Sequence, residues 1–100
     1  MVNLLEETLD ILQEYGKTIE DVKWIGTHEY TIPIEQFIEV ADRMYDGGYG
    51  IEEINTGLLV VGEDWWLERG EYDGSEWWEL KRMPSKPTML IENPIIFRNQ

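Results

Sequence analysis

Between Gly62 and Leu80 the chain reads GEDWWLERGEYDGSEWWEL, a stretch with four of its five tryptophans and seven acidic side chains against one basic one, Arg69. Two similar phrases, Glu63-Asp64-Trp65-Trp66 and Ser75-Glu76-Trp77-Trp78, flank the turn-forming run Gly70-Glu71-Tyr72-Asp73-Gly74, which predicts a hairpin with one strand on each side. Successive strand residues point to opposite faces, so each Trp-Trp pair sends one ring to the core and the other outward, whichever register is adopted. The two pairs are expected to face each other across the hairpin and to stack on both faces. An indole therefore points away from the core unless another element covers it.

The remaining pattern supplies helices to pack on such a sheet. Leu4, Leu5, Leu9, Ile11, Leu12 and Tyr15 form one broad apolar stripe on a first helix, with Asn3 as N-cap, Glu6 three residues on, and Gly16 as its stop. Thr18-Ile19-Glu20-Asp21 predicts one capped helical turn. Val22–Gly26 and Tyr30–Ile32 predict two short strands joined through Thr27-His28-Glu29. Pro33 opens a second helix whose expected buried stripe is Ile34, Phe37, Ile38, Ala41, Met44 and Tyr45. Three glycines within residues 47–50 predict a mobile connection before Ile51–Ile54, and the continuous apolar run Gly57–Val61 predicts a central strand buried on both faces. After Leu80 the composition turns basic and proline-spaced, through Lys81, Arg82, Pro84, Lys86 and Pro87, before Met89–Ile91 and Pro94–Phe97 restore apolar character. The expected architecture is an α+β domain over 1–80, two amphipathic helices on a mostly antiparallel tryptophan-rich sheet, with an extended C-terminal tail over 81–100. Such a tail can fold back over outward-facing indoles or pair with a second copy as a homodimer.

Charge narrows the partners. Residues 1–80 carry 20 acidic and 4 basic side chains, net −16, whereas 81–100 carry 1 and 4, net +3, giving −13 for the chain. The body repels nucleic acid and anionic lipid and is steered towards basic surfaces. With no cysteine and no window approaching eighteen apolar residues, a cytoplasmic chain is expected, without disulfides and without a membrane span.

The common site chemistries find little here. His28 is the only histidine, and no HExxH, paired-His, EF-hand or glycine-rich phosphate loop is present, so no metal or cofactor is expected. Ser75 follows Gly74 in ordinary turn chemistry and lacks the GxSxG context of a nucleophile. Glu68 with Glu76, or Glu71 with Asp73, beside tryptophan have the composition of a glycosidase carboxylate pair, but surface carboxylates are abundant and a sugar cleft generally needs a larger scaffold. The expectation is a protein that binds rather than catalyses. An open indole flanked by carboxylates is a platform for arginine or lysine, and Arg69 can itself be the guest, held inside between an indole and a carboxylate.

The run Trp65–Glu79, behind a leucine-rich acidic helix and the Lys17–Val22 turn, resembles small acidic proteins of phages and prophages. The resemblance implies a setting of anti-CRISPR and other anti-defence inhibitors, some of which imitate DNA; it transfers no site residue. A mimic presents carboxylate rows to a cleft built for phosphates, which duplex DNA spaces at one charge per ~1.7 Å of axis. Glu6/Asp10/Glu14 and Glu35/Glu39, each at four-residue spacing, are candidate rows. The expected function is therefore inhibition of a basic, nucleic-acid-handling host protein, with no direct binding to nucleic acid or membrane. The candidate contacts are Glu68, Glu71, Asp73 and Glu76, together with Trp66 and Trp78. The alternatives are an oligomeric module holding a planar ligand in an aromatic pocket, and a structural phage component.

Overall fold

A computed structural model describes residues 1–47, 53–93 and 95–99. Its main element is a five-stranded antiparallel sheet in the order β3-β2-β5-β6-β7, formed by β2 (Trp24–Gly26), β3 (Thr31–Ile32), β5 (Leu59–Val61), β6 (Trp65–Tyr72) and β7 (Ser75–Arg82). Helices α1 (Leu4–Glu14) and α2 (Ile34–Ala41) pack on one face, and β1 (Val2–Asn3) pairs with β4 (Met44–Tyr45) in a separate two-stranded sheet. This is the expected α+β architecture of two helices on an antiparallel, tryptophan-containing sheet.

Strand register sorts the apolar residues. Ile32, Ile25, Val60, Leu67 and Leu80 are successive cross-strand partners, so one rung crosses all five strands on the helix-facing side. Ile25, Val60 and Leu67 in that rung have no solvent exposure. At ~25 cal/mol per Å² of apolar surface removed from water, full burial of each such side chain stabilises the fold by ~1.5–3 kcal/mol. Leu59–Val61 is central as expected, but only Val60 is fully buried; Leu59 and Val61 point to the other face and are half-buried.

On α1, Asn3 accepts the Glu6 N–H at 3.0 Å, and Gly16 ends the helix at φ 72°, a conformation that costs glycine little. The buried stripe is Leu4, Thr8 and Leu12, at i, i+4 and i+8, rather than the leucine-rich set expected; Leu9 and Tyr15 are exposed. Leu9 sits about 100° round the helix from Thr8, at the rim of the stripe. Thr18 to Asp21 forms the predicted capped turn, with a 3₁₀ helix over Ile19–Asp21.

Three expectations are corrected. The second helix stops at Ala41, not Tyr45, because Met44 and Tyr45 leave it to pair with Asn3 and Val2. Strand alternation then buries Tyr45 and exposes Met44, where a longer helix would have buried both. The hairpin turn is Asp73-Gly74 alone, at φ 51° and 85°, not the five residues from Gly70; both positive φ values fit a two-residue turn carrying the Asp-Gly pair such turns favour. That tight turn pairs Trp65 with Arg82, Trp66 with Lys81, Arg69 with Trp78 and Gly70 with Trp77, so the two tryptophan pairs do not face each other. Finally, Lys81 and Arg82 belong to β7 rather than to the tail. From Met83 onward every described residue is exposed and none lies in a helix or strand. The glycine-rich connection expected after Gly47 falls on 48–52, outside the described residues.

Candidate functional site

The same alternation that builds the core builds two distinct polar arrangements, one on each face of the hairpin. On the helix side, β6 presents Trp65, Leu67 and Arg69, and β7 presents Glu76, Trp78 and Leu80. The Arg69 side chain is only 3% exposed and that of Glu76 2%. Arg69 Nη2 donates to Glu76 Oε1 at 3.1 Å and to the Tyr45 hydroxyl at 3.0 Å, and Nη1 lies 3.5 Å from Glu7 Oε1. The guanidinium sits 4.7 Å from the centre of the Trp78 ring and 5.7 Å from that of Tyr45. Nε and Nη1 have no hydrogen-bond acceptor among the described residues, and the aromatic faces supply part of the compensating attraction. Arg69 is thus the internal guest, held between an indole and a carboxylate.

Glu76 has further tasks. Its carboxylate accepts the backbone N–H groups of Glu53 at 2.8 Å and Ile54 at 3.3 Å, while its own N–H donates to the Gly47 carbonyl at 2.9 Å. Trp78 Nε1 donates to Thr8 Oγ1 at 2.9 Å, which in turn donates to the Leu4 carbonyl at 2.7 Å; this explains a fully buried threonine in the α1 stripe. Glu76 and Trp78, expected at a partner surface, are therefore corrected to interior positions that join the hairpin to α1, β4 and the 53–54 segment. The suggested pairing of Glu68 with Glu76 also fails, because the two lie on opposite faces of the sheet.

Tyr45 donates to Glu7 Oε1 at 2.6 Å. Burial, reinforced by that hydrogen bond, pushes its hydroxyl from the ordinary 10.0 up to about 12 despite the opposing Arg69 charge. Between these values the unfolded chain has released a proton that the folded chain keeps, so this contribution is intact below pH 10 and is lost as pH rises towards 12. Urea midpoints measured across that window should fall more steeply for the wild type than for Tyr45→Phe. Parallel slopes would show that Tyr45 carries no such linkage.

The opposite face carries the outward indoles. Trp24, Val61, Trp66 and Lys81 are successive cross-strand partners, as are Thr31, Gly26, Leu59, Glu68 and Glu79, and the next rung pairs Gly70 with Trp77. Trp24, Trp66 and Trp77 are all half-buried there. Trp66 Nε1 donates to Glu68 Oε1 and Trp77 Nε1 to Glu79 Oε1, each at 3.1 Å, so two Trp-x-Glu units run antiparallel side by side. A β-carbon at Gly70 would meet the Trp77 ring and the Glu79 carboxylate, so glycine is what allows this indole to lie flat across β6. Glu68 and Glu79 stand directly opposite, a placement that costs stability for like charges, and Lys81 Nζ offsets part of it from 3.3 Å.

At the tip, Glu71, Tyr72 and Asp73 are exposed. So are both predicted rows, Glu6/Asp10/Glu14 and Glu35/Glu39, and the first lines a shallow trough of about 450 Å³ together with Glu7, Val2 and Met44. Of the residues expected to contact a partner, the structure thus leaves Trp66 and Glu68 on the open face and Glu71 and Asp73 at the tip. It adds Trp24, Trp77 and Glu79. The Asp-Gly turn was the signal that could have assigned Trp77 and Glu79 to this face, since counting back from it fixes the parity of both strands.

Among the described residues no group of three or more His, Asp or Glu side chains is placed to hold a metal ion, and no helix is long and apolar enough to cross a membrane. No protein-family model, curated protein or solved structure matches the chain.

Proposed function

We propose that this chain is a non-enzymatic acidic binding protein that inhibits a basic, nucleic-acid-handling protein of a host cell by occupying its cationic surface. The observation that carries this is the division of the hairpin's charge. Its arginine is enclosed with Glu76, while Glu68 and Glu79 are held opposite each other between indoles on the open face despite their repulsion. Carboxylates fixed by indole N–H groups lose little freedom when a guanidinium or ammonium arrives, and the adjacent rings add cation–π attraction. The exposed rows on α1 and α2 extend the negative field beyond the sheet and favour rapid, salt-sensitive encounter. DNA mimicry is the form of inhibition that such rows favour.

The hairpin tip gives a direct test that spares the core. Glu71→Lys combined with Asp73→Asn removes three units of negative charge, and asparagine tolerates the positive φ at position 73. The variant should keep its thermal midpoint within a few degrees and bind its basic partner at least tenfold more weakly at low salt. Undiminished binding would remove the tip from the contact surface.

A further inference from the structure

Two apolar surfaces of this protein are used neither by the core nor by the acidic face. The first is a groove of about 320 Å³ beside α2, lined by Phe37, Val40, Ala41, Met44, Ile54 and Leu58, with Ile32 of edge strand β3 at its margin. Val40 is 71% exposed and Met44 50%, although both are apolar. The second is the tail, where Met89, Leu90, Ile91, Ile95, Ile96 and Phe97 are all exposed. A segment this apolar is not kept extended by its composition, and contiguous exposed apolar surface marks an interaction site.

Charge and geometry say what the tail meets. Residues 81–100 carry net +3 and the rest of the chain −16, so the tail is attracted to the body of its own kind. Glu35, Glu39 and Asp42, all exposed on or just after α2, put negative charge beside the groove. The tail leaves from β7, at the sheet edge opposite β3, so its own groove lies across four strand spacings of ~4.8 Å each. Pro84 and Pro87 favour an extended start to the tail. Fifteen residues from 83 to 97 reach up to ~50 Å, comparable with the 52 Å longest dimension of the molecule.

We propose that the Ile95–Phe97 end of the tail seats in the α2 groove of a second copy of this chain, and that reciprocal exchange closes a two-fold dimer. The interface is self-complementary, with apolar tail in apolar groove and basic flanks against acidic helix, and two-fold closure leaves no unpaired tail to propagate a filament.

The test is the solution mass of the full chain by sedimentation equilibrium over a dilution series, beside two single variants, Val40→Glu in the groove and Phe97→Glu in the tail. Both positions are exposed, and unchanged circular dichroism and melting would verify that each variant folds. The wild type should run at twice the chain mass of 11.8 kDa, and each variant at the chain mass. In an equimolar mixture, native mass spectrometry should detect a dimer containing one of each variant, which retains one intact tail and groove contact. A wild type at the single-chain mass throughout would overturn the proposal, since it would mean that the tail docks on its own body or not at all. Dimeric mass persisting in both variants would overturn it too, by moving the interface elsewhere.

Discussion

Replacing Glu76 by alanine is expected to destabilise the protein by about 3–5 kcal/mol, the usual cost of removing one partner from a buried ion pair. The loss has three sources. Arg69, with its side chain 3% exposed, keeps its charge but loses its closest carboxylate. The N–H groups of Glu53 and Ile54 lose their acceptor. The contact that ties the hairpin to the 53–54 segment disappears with them. Since small domains are stable by only about 5–15 kcal/mol, the variant should be largely unfolded in modest urea. Glu76→Gln, which keeps the shape and an acceptor, should cost clearly less. If urea denaturation found E76A within 1 kcal/mol of wild type, Glu76 would have to be reassigned as a surface carboxylate.

The second large effect separates the tryptophans by the face they occupy. Trp78→Ala should cost about 3–5 kcal/mol, because it empties a core site, leaves Thr8 Oγ1 without its indole donor, and removes the ring beneath Arg69. Trp66→Ala removes an indole of the same size from the open face, where it is half-buried and hydrogen-bonded only to the side chain of its neighbour Glu68. Its cost should be near 1 kcal/mol, a surface-like value. Its consequence should appear in partner binding, through the freed Glu68 carboxylate and the lost aromatic platform. Equal destabilisation by the two substitutions would mean that both faces of the sheet are covered.

Much of the fold was legible in local pattern. Asn3 and Gly16 bracket α1 by capping chemistry, Thr18–Asp21 forms its turn, and the short strands at Trp24–Gly26 and Thr31–Ile32 fall within the predicted windows. What local pattern could not supply was pairing between distant segments. Met44 and Tyr45 continue the helical period of α2, yet Val2 and Asn3, some forty residues away, draw them into a strand. The hairpin register was written in Asp73-Gly74, but Gly70 competes with it as a turn residue. Only Trp77 lying across Gly70 shows why that glycine sits inside a strand. For the site, composition pointed correctly to an aromatic and carboxylate-rich hairpin and to Arg69 as an internal guest. It could not divide the carboxylates, because Glu76 and Glu79 differ only in parity: one caps a buried arginine and the other lies beside an indole on the open face.

The most direct measurement is an affinity capture from bacterial lysate on the immobilised full chain at low salt, eluted with a salt gradient and identified by mass spectrometry. The proposed function predicts one dominant basic, nucleic-acid-binding protein that elutes at moderate salt, is displaced by duplex DNA, and is not retained by the Glu71→Lys/Asp73→Asn variant. Capture of no basic protein, or capture that withstands both salt and DNA and is equal for the variant, would contradict it and would leave the acidic surface as a solubilising coat.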